Sequence, residues 1–170
     1  MAPEKATPEA LLGVVMQCPT GALHLRLGDE DPEVALATNR VEVAPDGPLF
    51  VRGEVTVQTP DGEVLLRDTR VALCRCGLSA NKPLCDNSHR DTFTHDGVLP
   101  ETDGATAEAD GPLAVTVQPD GPLRLEGPLT IAGADGGTAA KDKAALCRCG
   151  ASENKPYCDG SHKRIGFEAA

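Results

Sequence analysis

Cys74-Arg75-Cys76-Gly77-Leu78-Ser79-Ala80-Asn81-Lys82-Pro83-Leu84-Cys85-Asp86-Asn87-Ser88-His89 is the stretch on which the reading of this chain turns. It returns as Cys147-Arg148-Cys149-Gly150-Ala151-Ser152-Glu153-Asn154-Lys155-Pro156-Tyr157-Cys158-Asp159-Gly160-Ser161-His162. Both copies have the form C-x-C-x8-C-x3-H. Three thiols and one imidazole at fixed spacing, twice over, are the arithmetic of metal ligation. Six of the seven cysteines fall inside the two motifs, a distribution that suits metal binding better than a disulfide framework.

The similarity reaches outward from the motifs, with an offset of 74 residues that drops to 73 at the motif. Val41-Glu42-Val43-Ala44-Pro45-Asp46-Gly47-Pro48-Leu49 matches Val115-Thr116-Val117-Gln118-Pro119-Asp120-Gly121-Pro122-Leu123. Two copies are too few for a solenoid, but they suit a pseudo-twofold pair, the single-chain version of a homodimer. Each copy reads as β. Leu49, Val51, Val55 and Val57 alternate with Phe50, Arg52, Glu54 and Thr56, and Leu123, Leu125, Leu129 and Ile131 recur likewise. Period two with one apolar face is a half-buried strand. Gly53 and Gly127 interrupt both runs at the same place and predict a bulge or a close backbone approach. Pro128 points to an edge or a bulge there. Pro45-Asp46-Gly47 and Pro119-Asp120-Gly121 read as turns. Short strands at Thr69–Leu73 and Ala144–Leu146 lead into the motifs. The fold class expected is mainly β, a small α+β protein of two pseudo-symmetric units.

Inside each motif, two thiols two residues apart face the same way only from an extended segment. Gly77 then permits a sharp turn, and a loop through Lys82-Pro83 returns the chain to Cys85. Cys85 and His89, four apart, are expected on one face of a helical turn. Ser79 and Asp86, with Ser152 and Asp159 in the second copy, read in two ways. They either hydrogen-bond the ligands from outside or serve the turn as caps.

The expected organisation is an N-terminal segment over 1–32, a first repeat over 33–97, a linker over 98–106 and a second repeat over 107–170. In the first segment, Pro8–Gln17 reads as a short helix with Leu11, Leu12 and Val15 on one side, weakened by Gly13 and ended before Pro19. Cys18-Pro19 resembles the last ligand of a ferredoxin run, yet no other cysteine stands near it. The reading is a small, inert residue; a relic of such a run or a redox-sensitive thiol are the alternatives. His24 and His95, outside the repeat, are expected at the surface.

With 170 residues, 2% aromatics and no Trp, each unit would bury only a thin core of Val, Leu, Ile and Ala, and bound metal would serve as a staple. The net charge of −10 argues against nucleic acid or an anionic membrane as partner. No apolar run is long enough to cross a bilayer, and Met1-Ala2-Pro3-Glu4-Lys5 does not begin a secretory signal, so a cytoplasmic location is expected.

The motif resembles that of the CDGSH iron–sulfur (NEET) family, C-x-C-x2-(S/T)-x3-P-x-C-D-G-(S/A/T)-H. The second copy meets every position. The first departs at Asn87, where the family has Gly; Asn tolerates unusual dihedrals, so the ligands are expected still to close. The resemblance implies one [2Fe–2S] cluster per motif, held by Cys74, Cys76, Cys85 and His89 and by Cys147, Cys149, Cys158 and His162. It also implies a β-rich cap, a monomer with both clusters, and a role in electron transfer, cluster transfer to apo-acceptor proteins, or iron and redox homeostasis. Lys82 and Lys155 share one motif position, and Arg75 and Arg148 lie between ligand cysteines. A cation there favours a reduced cluster; the alternative is a solvated surface charge.

Two other classes compete with a carrier. Cys3His is also a zinc set, although paired zinc cysteines are usually separated by two to four residues and here by one. An enzyme would need a nucleophile–base pair, a phosphate-cradling glycine loop or a dinucleotide fingerprint, and the sequence offers none.

Overall fold

The computed structural model describes residues 6–169. Its elements run α1 (Pro8–Val15), β1 (Asn39–Val43), β2 (Leu49–Gln58), β3 (Val64–Leu73), β4 (Leu113–Val117), β5 (Leu123–Ala132), β6 (Thr138–Leu146) and α2 (Ser161–Arg164). The protein is mainly β, as its period-two patterning predicts. Strands β3 and β6 are longer than the sequence suggests, because their outer halves carry exposed residues such as Val64 and Leu65 or Lys141 and Asp142.

The two repeats interlock through β2 and β5. The first half of β2 pairs antiparallel with β1, Arg40 opposite Arg52. Its second half pairs parallel with β4 of the other repeat, Val55 opposite Leu113. Strand β5 does the same with the copies exchanged, antiparallel to β4 and parallel to β1, Asn39 opposite Leu129. The ring β1–β2–β4–β5 therefore closes on itself, with β3 and β6 added outside on β2 and β5.

The change of partner occurs at the two glycines. Pairing with β3 breaks register between Arg52 and Val55, and pairing with β6 between Glu126 and Leu129. These are the bulges expected at Gly53 and Gly127, and Pro128 sits in the second. A β-carbon on Gly53 would collide with the Asn39 side chain, and one on Gly127 with the Pro112 carbonyl. The bulge lets one long strand serve two neighbours.

Closing the ring pools the apolar faces. Val41, Leu49, Val57 and Leu73 of the first repeat form one cluster with Val115, Leu125, Ile131 and Leu146 of the second. Two thin cores become one, which is how a chain with so few aromatics fills its interior. Leu99, expected in a plain linker, is 5% exposed and joins this core.

The N-terminal segment is tied to β3 by Arg70, a buried side chain. Its guanidinium donates to the carbonyls of Val15 and Leu23 and pairs with Glu33. Helix α1 has Thr7 as its cap and ends at Val15, short of Pro19. Among the described residues, no helix is long and apolar enough to cross a membrane.

Candidate metal centres

Each motif begins where a strand of the sheet ends. Strand β3 delivers Cys74, whose N–H donates to Pro83 O at 2.8 Å, and the loop returns so that Cys85 N donates to Ala72 O at 2.9 Å. The second motif repeats this with Cys147 to Pro156 O and Cys158 to Ala145 O, both at 2.8 Å. The peptide bonds before Pro83 and Pro156 are cis.

The extended start brings the first two thiols together as expected. Cys74 and Cys76 Sγ are 3.6 Å apart, and Cys147 and Cys149 Sγ 3.7 Å. The second pair also forms: Sγ to Nδ1 is 3.4 Å from Cys85 to His89 and 3.4 Å from Cys158 to His162. The route is not the helical turn the spacing suggests. Helix α2 starts only at Ser161, and residues 85–89 form no helix. A left-handed residue after the cysteine, Asn87 at φ 71° or Gly160 at φ 84°, swings the histidine back. A metal with thiolate bonds of about 2.3 Å holds two sulfurs about 3.8 Å apart in tetrahedral geometry, so the thiol pairs are spaced for chelation. Among the described residues, no three His, Cys, Asp or Glu side chains converge where one ion could be held. The donors of each motif are grouped two and two.

Hydrogen bonds fix the loops. Ser79 Oγ donates to Leu84 O at 2.6 Å and accepts from Asn81 N at 3.0 Å; Ser152 does the same with Tyr157 O and Asn154 N. Asp86 accepts from Ala80 N at 2.8 Å and Ser88 N at 3.0 Å, and Asp159 from Glu153 N and Ser161 N. Of the two readings of these residues, the turn duty is the one these bonds describe: each clamps the ligand loop to itself. Lys82 Nζ donates to Ser79 O at 2.6 Å, and Lys155 makes the same bond to Ser152 O. Backbone N–H groups reach sulfur directly, Leu78 to Cys76 and Asn87 to Cys85, both at 3.4 Å.

Electrostatics favour loss of one proton from the first thiol pair. The hydrogen bond from Cys76 holds the Cys74 thiol well below its usual range, and the N–H groups of Ser79 and Gly77 add to this against burial. The same bond, then burial, pushes Cys76 up. Burial also raises Cys85 and Cys149. Such a site gives up its remaining protons to a metal.

The arginines between the ligand cysteines are not solvated. Arg75 and Arg148 are each 1% exposed. Arg75 donates to Gly47 O and Ala44 O and lies over the Phe93 ring at 5.0 Å. Arg148 donates to Gly121 O, Gln118 O and Ala169 O and lies over Phe167 at 5.5 Å. Each arginine reaches the Pro-Asp-Gly turn of its own repeat through these carbonyls. A signal was present in the sequence: two of the three Phe follow the two motifs closely, Phe93 after His89 and Phe167 after His162.

His95 also departs from expectation. It is half-buried, its N–H donates to Asp46 Oδ1 at 2.6 Å, and its Nδ1 accepts from Gly97 N. Burial holds its pKa below the usual value. His24 stays half exposed, between Glu33 and Asp68 at 3.2 Å from each.

The two motifs abut. Cys76 and Cys149 form an antiparallel bridge. The outer pairs lie at the surface; Cys158 and His162 line a cavity of about 380 Å³ with Arg124 and Lys163.

A family model, the iron-binding zinc finger of CDGSH type, matches residues 46–90 and 120–163, together just over half of the chain. A CDGSH iron-sulfur domain-containing protein 2 homolog from Drosophila ananassae is 76% identical over 21 residues, 12% of this chain and 16% of that protein. The chain thus spans only a small part of that relative's length. Two matched segments, each ending on a motif of three cysteines and a histidine, make this a two-motif member of the CDGSH-type iron-binding family and an iron–sulfur protein.

Proposed function

We propose that the chain binds two [2Fe–2S] clusters and carries electrons, or whole clusters, between protein partners. Cys74, Cys76, Cys85 and His89 would hold one cluster, and Cys147, Cys149, Cys158 and His162 the other. The observation that carries this reading is the grouping of donors. Two thiols 3.6–3.7 Å apart suit one metal, a thiol and an imidazole 3.4 Å apart suit a second, and among the described residues no three such donors converge on one point. That pattern fits a two-metal cluster and not a single zinc in a Cys3His set.

When bound, such a group supplies one-electron chemistry. The chain's own part is to hold and to tune. The buried thiols Cys74 and Cys147 anchor the inner side, and the Ser79 and Asp86 hydrogen bonds keep the loop closed around it. His89 and His162 stand half-buried at the outer edge, where an incoming partner reaches them. An imidazole in place of a thiolate removes negative charge and raises the potential relative to all-cysteine sites. Because imidazole also binds protons near neutral pH, it makes a releasable ligand. Partners are redox proteins or apo-acceptors, not nucleic acid or membrane. The chain acts as a cytoplasmic monomer whose internal pseudo-twofold replaces a dimer, and it is a carrier without a substrate site of its own.

The test is the visible spectrum of the purified protein, with iron, sulfide and zinc counted on the same sample. About four iron and four sulfide per chain, with the absorption of [2Fe–2S] centres, are expected. A colourless protein with two zinc overturns the reading.

A further inference from the structure

We propose that the surface beside the second motif, from Lys143 past Arg124 to Lys163, docks an acidic segment of a partner protein, and that the first motif lacks such a face. The proposal deepens the carrier reading above and rests on it, because the segment brings its protein to Cys158 and His162.

The two repeats share one backbone plan, so their differences in surface charge mark what the plan does not require. Arg124 stands where the first repeat has Phe50. Phe50 faces Ala72 and Arg124 faces Ala145 across the strand pair that leads into each motif. After the ligand histidine the first motif continues Arg90-Asp91 and the second Lys163-Arg164. Arg124, Lys143 and Lys163 are all exposed. Arg124 and Lys163 line the cavity of about 380 Å³ that also reaches Cys158 and His162. A second hollow of about 320 Å³, lined by Arg124, Ala145 and Lys143, continues it along β6. The carboxylates on this face are already engaged. Glu126 pairs with Lys143 at 3.5 Å, and Asp159 accepts from Glu153 N and Ser161 N and lies 3.8 Å from Arg164. Among the described residues, neither Arg124 nor Lys163 has a carboxylate partner. The face is thus positive in a chain of net charge −10.

The first repeat shows what this place on the fold accepts. Lys143 occupies the position of Arg70, the one opposite Glu126 and the other opposite Arg52. Arg70 is covered by the chain's own N-terminal segment, which brings Glu33 and the carbonyls of Val15 and Leu23 to its guanidinium. Lys143 has no such cover among the described residues, and its side chain is 78% exposed. A segment with a carboxylate fills in the first repeat the place that stands open in the second. Opposite charges on two surfaces speed encounter and fix orientation, so an acidic protein that settles here lies against the Cys158–His162 edge.

The test measures binding of a short peptide alternating Glu with Ala, labelled with fluorescein at its N-terminus, to the cluster-loaded full chain by fluorescence anisotropy. Saturable binding at low salt that weakens as salt is added is expected. The double variant Arg124→Glu, Lys163→Glu is expected to bind about tenfold more weakly, since each reversal replaces an attraction by a repulsion. Arg90→Glu, beside the first motif, should change binding by less than about twofold. Carbodiimide coupling of the bound peptide, mapped by mass spectrometry, should join its carboxylates to Lys163 and Lys143, which keeps the test open if the double variant does not fold. No saturable binding, an equal loss from Arg90→Glu, or coupling to lysines elsewhere overturns the proposal. So does tighter binding of a duplex DNA at the same face, which would make it a nucleic-acid surface. A concentration-dependent dimer that the double variant abolishes overturns it too, since the occupant is then a second copy of this chain. A colourless protein fails the carrier reading, whereas a coloured one that ignores the peptide fails this proposal alone.

Discussion

Cys76 and Cys149 stand opposite each other in an antiparallel bridge, so the inner ligands of the two motifs share one seam of backbone. Gly77 and Gly150, both at φ 81°, follow them, and a β-carbon on Gly77 would lie 2.6 Å from Cys149 O. The two sites are thus built on a common joint. Gly77→Ala places a side chain in the left-handed region, at a cost of about 1–3 kcal/mol, and pushes on the other motif's carbonyl. Iron bound per chain is expected to fall well below half of the wild-type content, with a lower melting temperature. Loss confined to the first site, leaving half of the iron, would show that the sites are independent.

The first motif differs from the second at Asn87. A β-carbon on Gly160 would meet nothing within 4 Å, so the difference between the sites is one of backbone preference, not space. Asn in the left-handed region costs more than Gly, by up to about 1 kcal/mol. Cluster loss followed by visible absorbance is expected in two phases. Asn87→Gly should slow the faster phase by about twofold to fivefold, the equivalent of that energy. A single phase in the wild type, or an unchanged fast phase in the variant, removes Asn87 as the cause of any inequality.

A third consequence concerns Asn39, which is 1% exposed. Its Nδ2 donates to Gly111 O at 2.9 Å and Pro128 O at 2.8 Å, and its Oδ1 accepts from Glu54 N at 3.2 Å. It thereby stitches both bulges of the ring together. Asn39→Ala strands these groups, each at about 1–3 kcal/mol if buried, so a large drop in thermal stability is expected. A melting temperature within a degree or two of wild type would mean that water replaces the side chain.

Much of this was legible in the sequence. The repeat, the strands Leu49–Gln58 and Leu123–Ala132 and the two bulges follow from period-two alternation and paired glycines, because each repeat states them independently. The ligand pairs were legible from spacing, the left-handed turn that joins cysteine to histidine less so. That turn depends on one residue's backbone conformation, which i, i+4 arithmetic ignores. Asn39 was invisible because its counterpart in the repeat is Leu113, so no repetition flagged it. Closure of the ring was equally hidden. The parallel pairing of β1 with β5 joins residues some 90 positions apart, and local pattern carries no trace of such a contact. Of the two readings of Arg75 and Arg148, the solvated surface charge fails, because both guanidinium groups are buried against backbone carbonyls and a Phe ring that sequence alone did not place beside them.

Cys18, read from the sequence as inert with a redox-sensitive thiol as an alternative, has surroundings that favour its thiolate. Burial raises its thiol, but the Thr20 hydroxyl at 3.3 Å and the N–H groups of Thr20, Leu23 and Ala22 outweigh that and bring the pKa down to about 7. The thiolate is the nucleophile. Alkylation by iodoacetamide, mapped by mass spectrometry, is therefore expected to reach half its maximal rate near pH 7, against about 8.5 for a free thiol. Thr20→Ala should move the midpoint upward. An unmoved midpoint in that variant would remove the hydroxyl as the cause.

Mild acid separates the two kinds of titratable group in each loop. Asp86 and Asp159 are held far below the usual carboxylate range, first by hydrogen bonds with Ser88 and Ser161 and then by backbone N–H groups. A carboxylate with a depressed folded value contributes stability that is complete above its unfolded value, about 3.9, and is lost as pH falls through the folded value. Between pH 5 and 7 both carboxylates therefore stay charged and the loops stay clamped. An imidazole ligand, in contrast, competes with protons in that window. Cluster loss in mildly acidic buffer is expected to come from His89 and His162. The double variant His89→Cys, His162→Cys should hold its visible absorbance to a distinctly lower pH. Asp86→Asn should speed loss at every pH without moving the midpoint, because it removes a clamp that does not titrate there. If the double variant bleaches over the same range as wild type, the acid-labile bond lies elsewhere. If Asp86→Asn moves the midpoint, the carboxylate takes part in the proton competition and the division of labour argued here fails.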